Sequence, residues 1–308
     1  MKKYLIFLLC MIMLSSGCKA SSPSSEADKA AETYSPEIPQ TQITTPQKED
    51  AVMETPSTML TEPKDSDFVR VRDYIPGILE ELKYAQADNF TGAVIYNFQD
   101  VYLRYGTVKK LMAVQAELQQ MGLGLKIWDG FRPVSAQFKL WEIYPDDTYV
   151  ANPNLGYSNH SRGFAVDLTL VDLNGAELEM PTAFDDFSGK ADRDYSEIPE
   201  VPRNNALLLQ NIMEKHGFQG YYGEWWHFND TVRYEVEHVF DPGLISLWKV
   251  IGESSVPLLT GSDPASQVIG SLEPGQIVTV MGYEGDYALI NHQGQRGFVL
   301  CISLFPAS

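Results

Sequence analysis

Apolar and polar positions follow three rhythms along the chain. At the start, Tyr4 to Leu14 is an unbroken apolar run of eleven residues. Lys19 to about Asp67 then holds six prolines, many Ser, Thr, Glu and Gln, and one aromatic, Tyr34. Such a stretch cannot bury enough apolar surface to offset its ordering entropy and predicts a flexible spacer. From about Phe68 to Lys249 the pattern mixes helical and strand periods. Thr107 to Met121 carries a stripe of Val108, Leu111, Met112, Gln115 and Leu118, with Gly122 as its stop. Arg203 to His216 predicts a second helix, stopped by Gly217. Val94-Ile95-Tyr96 and Leu123 to Trp128 read as strands. From Phe164 the residues alternate, with Phe164, Val166, Leu168 and Leu170 on one face and Ala165, Asp167 and Thr169 on the other. The apolar face must meet a core, so Asp167 is expected to project toward a site or solvent. From about Ser255 to Leu304 short apolar runs alternate with turn signals at 272–275, 282–285 and 292–294, the texture of a small all-β barrel.

Composition narrows the function classes. The chain has 308 residues, 44 % of them hydrophobic, with 23 Lys and Arg against 41 Asp and Glu, a net charge of −18. Intrinsic disorder of the whole chain is excluded, and so acidic a protein is no general nucleic-acid binder. The three cysteines, Cys10, Cys18 and Cys301, exclude a disulfide scaffold and a cysteine zinc finger. Cys301 sits in the apolar run 298–302 and reads as a buried structural thiol.

Lys2 and Lys3 precede the apolar run, which is too short for a membrane span of roughly twenty residues. Ser15-Ser16-Gly17-Cys18 follows. This resembles a bacterial lipobox, with Leu14 one place further out than usual. The resemblance implies cleavage before Cys18, lipidation of Cys18 and a membrane-anchored, extracytoplasmic protein. An ordinary secretory signal cut near Ala20 remains the alternative. The chain thus divides into a signal peptide (1–17), a lipidated spacer (18–67), a mixed α/β domain (68–249) and a β domain (250–308).

Two of the five histidines lie in chemically loaded surroundings. His160 precedes the Asp167 strand across a turn-prone Ser-Arg-Gly segment. His227 and Glu224 are embedded in aromatics, in Gly223-Glu224-Trp225-Trp226-His227-Phe228. Buried polar groups of this kind need a compensating partner, and zinc is one. His160, Asp167 and His227 make the three-ligand count of a catalytic zinc site, leaving Glu224 as a base. Each residue alone is more often a surface or satisfied core group.

The segments S-N-H-S-R-G-F-A-V-D-L-T-L and G-E-W-W-H-F resemble the zinc D-Ala-D-Ala metallopeptidases, more closely the dipeptidase branch. Asp88 to Gly92, Asp129-Gly130-Phe131-Arg132-Pro133 and Met180 to Phe187 resemble further segments of that branch, with Phe131 for the usual Tyr and Pro181 for a common Gly. The resemblance spans roughly Val69 to Asp241. It implies an α+β fold, a mixed or antiparallel sheet flanked by helices. It implies Zn²⁺ on His160, Asp167 and His227, Glu224 as general base, and Arg132 stabilising the oxyanion. An ion pair of Arg132 with Asp129 is compatible with that role. Ser158 and Ser161 are candidates for the substrate carboxylate. Asp185 is a candidate for the substrate ammonium or, equally, a solvated loop carboxylate. The residues after 250 resemble a bacterial SH3-like domain, which implies peptidoglycan contact. The implied substrate is D-Ala-D-Ala or a related wall peptide. The rivals are a D,D-carboxypeptidase trimming stem peptides and a non-catalytic wall-binding lipoprotein. Resistance dipeptidases of this family act in the cytoplasm, whereas the export signal points to wall turnover or scavenging outside.

Overall fold

A computed structural model describes residues 62–307. The export segment, Cys18 and nearly all of the spacer lie outside the described residues. No helix among the described residues is long and apolar enough to cross a membrane.

The chain enters through β1 (Phe68–Arg70) and the short β2 (Leu79–Glu80), then β3 (Tyr102–Arg104), which pairs antiparallel with β1. β3 runs directly into α1 (Tyr105–Gln120), which buries Val108, Leu111, Val114, Gln115 and Leu118. Met112, predicted on this stripe, is instead partly exposed, and Val114 takes its place. Gln115 anchors the helix to the next strand, its side-chain oxygen accepting from the backbone N–H of Leu125 at 2.9 Å. Gly122, at φ +73°, ends the helix as expected.

β4 (Leu123–Asp129), α2 (Val134–Ile143), β5 (Ala165–Asp172), α3 (Glu200–Lys215), β6 (Phe218–Tyr221) and β7 (Glu224–Asp230) follow. The sheet order is β2-β4-β5-β7-β6, with β2 parallel to β4 and the other pairs antiparallel. α1 and α3 pack on each other and against strands of this sheet, and one large core joins them. This is the expected α+β architecture with a mixed sheet flanked by helices. One expectation is corrected. Residues 94–96 form no strand: the N–H groups of Ile95 and Tyr96 both donate to the single carbonyl of Tyr84, an irregular turn. The strand carrying Asp167 is central and buried on both faces from Ala165 to Val171, so of the two positions expected for Asp167, a site or solvent, solvent is ruled out.

A second, seven-stranded antiparallel sheet follows, formed by β8 (Ser246–Val250), β9 (Val256–Leu259), β10 (Val268–Leu272), β11 (Ile277–Glu284), β12 (Tyr287–His292), β13 (Gln295–Leu300) and β14 (Leu304–Pro306). Its order is β10-β9-β13-β12-β11-β8-β14. All seven strands contribute to one apolar cluster that includes Val250, Leu258, Val280, Ile290 and Val299, so the sheet must curl around its own core. The sheet begins at Ser246, a few residues before the division expected at 249/250. Gly282 to Glu284, predicted as a turn, stay in β11, and the two-residue loop is Gly285-Asp286. The loop Gln293-Gly294 has both φ values positive, as a tight right-twisted hairpin requires. Cys301 is half-buried rather than buried.

Phe68, Phe131, Phe240, Met281 and Leu289 form a further core cluster between the two sheets. Gly282 pairs with Phe240, and any side chain at Gly282 would overlap the Val239 carbonyl.

Candidate active site

Three adjacent strands bring the polar residues into one row. Asp129 on β4 is the cross-strand neighbour of Asp167 on β5, and Asp167 is the neighbour of His227 on β7. His160 arrives from outside the sheet, on a short 3₁₀ turn (His160–Arg162) closed by Gly163 at φ +78°. Only glycine suits that position, because a Cβ there would overlap the Phe68 ring. The turn returns the imidazole to the sheet. His160 Nε2 lies 3.4 Å from Asp167 Oδ2 and 3.2 Å from His227 Nδ1, and His227 Nδ1 lies 2.9 Å from Asp167 Oδ1.

The hydrogen bonds on the far side of each ring set its tautomer. His160 Nδ1 donates to the Gly130 carbonyl at 2.8 Å. His227 Nε2 donates to Asn229 Oδ1 at 3.2 Å, and the Asn159 amide donates to the same oxygen at 2.9 Å. The inward nitrogens, His160 Nε2 and His227 Nδ1, therefore present lone pairs toward each other and toward a carboxylate. Acceptors so close need a proton or a metal ion among them. Donor atoms around a tetrahedral zinc at about 2.0–2.1 Å would stand roughly 3.3 Å apart, close to the separations here. His160, Asp167 and His227 form the one such cluster among the described residues.

Glu224 opens β7 and reaches 3.7 Å from His227 Nδ1. Burial pushes its carboxyl above the usual range, against the pull of His227, which favours a base that must also give its proton back. Burial opposes the charge of Asp167 too, but with protons rather than a metal ion among the three groups His160 and His227 more than offset it and hold that carboxyl low.

Arg132 follows the β4 row. Its Nε and one terminal nitrogen donate to Asp129 Oδ2 at 3.1 and 2.6 Å, and the other terminal nitrogen donates to Gln137 at 2.9 Å. Three of the five guanidinium N–H groups are thus committed. Asp129 is fully buried, and its second oxygen accepts from Tyr96 and from the Gly130 N–H at 2.7 and 2.9 Å. Both expected roles of Arg132 are thus compatible: the ion pair orients a guanidinium that lines the cavity.

That cavity, about 290 Å³, is lined by Arg132, Ser158, His160, Asp167, Asp185, Glu224 and His227, with Tyr84, Tyr221 and Trp226 among its walls. Ser158 accepts the His160 N–H at 3.2 Å through its hydroxyl oxygen. Ser161 does not line the cavity. It is fully buried in the 3₁₀ turn, and its hydroxyl has no hydrogen-bond partner within the protein. Asp185, at φ +56°, accepts from Tyr84 at 3.0 Å and also borders a second cavity of about 560 Å³. It is half-buried, and burial first, then the charge of Asp167, push it well above the carboxylate range. Residues that sequence reasoning left out of the site are Asn229, Tyr84, Gln137 and the Gly130 carbonyl. Asn229 was within reach, two residues from His227 and so on the same strand face.

A histidine and carboxylate donor set with a buried carboxylate beside it defines a metal-dependent hydrolase. Residues 64–240 match the family described as D-Ala-D-Ala dipeptidase, and the chain belongs to that family of peptidases. It is 40 % identical over 163 residues to a D-alanyl-D-alanine dipeptidase of Escherichia coli, covering 53 % of this chain and 84 % of that protein. Over 184 residues it is 33 % identical to a D-alanyl-D-alanine dipeptidase of Enterococcus faecalis, covering 53 % and 91 %. A solved D,D-pentapeptidase of a VanB-type vancomycin-resistance cassette, in complex with Zn(II), is 14 % identical, covers 43 % of this chain and 74 % of that chain, and superimposes with a TM-score of 0.30.

Proposed function

We propose that this enzyme is a zinc-dependent dipeptidase that hydrolyses D-Ala-D-Ala on the outer face of the membrane. The observation that carries the reading is the convergence of His160, Asp167 and His227 beside Glu224 and Arg132 in one small cavity. Its volume, about 290 Å³, lies just below the range of roughly 300–1,000 Å³ for ligand pockets and suits a dipeptide better than a stem peptide.

Zinc on the three donors would supply Lewis-acid polarisation of the scissile carbonyl and acidification of water. The chain's own residues perform the remaining tasks. Glu224 takes the proton of the attacking water and then passes it to the leaving amine. The two uncommitted N–H groups of Arg132 face the negative charge that develops on the carbonyl oxygen, and Asp129 and Gln137 hold the fork still while it does so. Ser158 is at hand for the substrate carboxylate. Asp185 would hold the free ammonium, whose charge offsets the desolvation that pushes this carboxyl up. The N-terminal pattern ending at Cys18 supports a lipid anchor. The curled second sheet supports an SH3-like module, with peptidoglycan as its ligand.

The test is release of D-Ala from D-Ala-D-Ala and from a pentapeptide ending in the same pair, each with and without chelator. Chelator-sensitive cleavage of the dipeptide alone supports the proposal. Cleavage of the pentapeptide alone makes the enzyme a D,D-carboxypeptidase, and cleavage of neither leaves a binding protein.

A further inference from the structure

One side chain outside the cavity holds the strand that carries both Glu224 and His227. β7 has an incomplete neighbour on one side. β6 pairs with it from Phe218↔Asp230 to Gly220↔Phe228, then slips, and the next pair is Tyr221↔Glu224. Trp225, Trp226 and His227 therefore have no ladder partners on that side. Arg193, from the loop before α3, fills the gap. One terminal nitrogen of its guanidinium donates to the carbonyls of both Trp225 and His227, at 3.0 Å each. Its Nε donates to the Tyr221 carbonyl at 2.8 Å, and its own backbone N–H donates to the Tyr222 carbonyl at 2.9 Å. The other terminal nitrogen reaches Gln210 on α3 at 3.1 Å, and the guanidinium lies 4.5 Å over the Phe228 ring.

Gly220 makes this approach possible, because a Cβ there would overlap the guanidinium. Its φ is not in the left-handed region, so an alanine at 220 disturbs Arg193 without demanding a strained backbone. A strand edge missing three partners leaves buried carbonyls unsatisfied and free to shift. Here one planar fork satisfies them together and ties the β6–β7 turn to the same point.

We propose that Arg193 is a positioning residue for the metal ligand and the base, acting through the β7 backbone without touching substrate. The inference rests on the metal reading given above. Substitution Arg193→Gln leaves the Trp225 and His227 carbonyls without their shared donor, so zinc affinity falls and Glu224 loses its alignment. Measured on the full chain by competition with a chelating dye, the zinc Kd of Arg193→Gln rises by about 10–100-fold, the usual cost of losing a group that orients a ligand. With zinc saturating, kcat on D-Ala-D-Ala falls while KM changes little, and Arg193→Lys recovers part of the loss. Gly220→Ala reproduces the pattern with Arg193 intact and decides the matter should Arg193→Gln not fold. Gln210→Ala, which removes the α3 contact but leaves the β7 bonds, binds zinc as the wild type does. The proposal is overturned if Arg193→Gln, or Gly220→Ala in its place, holds zinc within threefold of the wild-type Kd with kcat preserved, or if Gln210→Ala is equally damaging. A wild-type chain with no zinc affinity overturns the metal reading itself, and this inference with it.

Discussion

Substitution Asp129→Asn tests whether the buried ion pair orients the Arg132 guanidinium for its proposed role. Asp129 is fully buried and accepts four hydrogen bonds, two from Arg132, one from Tyr96 and one from the Gly130 N–H. Asparagine keeps the shape but removes the charge, and in either amide orientation it turns an N–H₂ toward groups that also donate. Removing one partner of a buried pair costs about 3–5 kcal/mol, because the other charge stays buried. The retained dipole of asparagine places this case at about 3 kcal/mol. Against a total stability of about 5–15 kcal/mol the protein stays folded. For a domain of this size the melting temperature falls by roughly 6–12 °C. Turnover falls further than stability suggests, by about 10²-fold in kcat/KM, since a guanidinium displaced by about an ångström no longer meets the oxyanion. The assay pairs thermal melts with D-Ala-D-Ala kinetics on zinc-saturated protein, and adds Arg132→Met alone and combined with Asp129→Asn. The double variant recovers at least about 2 kcal/mol of the summed stability losses, because it removes the orphaned charge. A single Asp129→Asn variant within about 0.5 kcal/mol of wild type, with kcat/KM within threefold, would refute the reasoning.

Three further outcomes follow from the same geometry. His227→Ala removes one of three donors and should lose stoichiometric zinc, and a variant that retains one zinc per chain by atomic spectrometry contradicts the ligand assignment. Phe131→Ala empties a fully buried site at the junction of the two sheets and should cost about 3–5 kcal/mol in urea unfolding, so a loss under about 1 kcal/mol speaks against a packed junction. Gly163→Ala meets both the left-handed backbone and the Phe68 ring and should destabilise by at least about 2 kcal/mol while weakening zinc binding through His160, so a variant with wild-type melting and zinc affinity contradicts that account of the turn.

Much of the fold was legible because local signals agree with tertiary packing. Gly122 and Gly217 stop α1 and α3 where their left-handed backbone requires glycine. The alternation around Asp167 marked its strand, but a single strand's period does not tell a half-buried strand from a central one. β5 has strands on both edges and is buried on both faces from Ala165 to Val171. The donors His160, Asp167 and His227 were readable as residue types at suggestive spacings, and Glu224 as a charge among aromatics. What fixes their geometry was not readable, because it is largely backbone: the Gly130 carbonyl, the slip in β6, the carbonyls that Arg193 collects. Ser161 shows the same limit from the other side. Adjacent to a ligand in sequence, it is carried by the 3₁₀ turn into the protein and away from the cavity.

The central claim is that one zinc sits on His160, Asp167 and His227 with Glu224 beside it as the base. Glu224→Gln separates the two roles, since it removes the base and keeps the donors. The measurement is zinc stoichiometry and D-Ala-D-Ala turnover on the same sample. The account predicts one zinc per chain, as in the wild type, with kcat reduced by at least about 10²-fold. A Glu224→Gln protein that binds zinc and turns over D-Ala-D-Ala at the wild-type rate would contradict it.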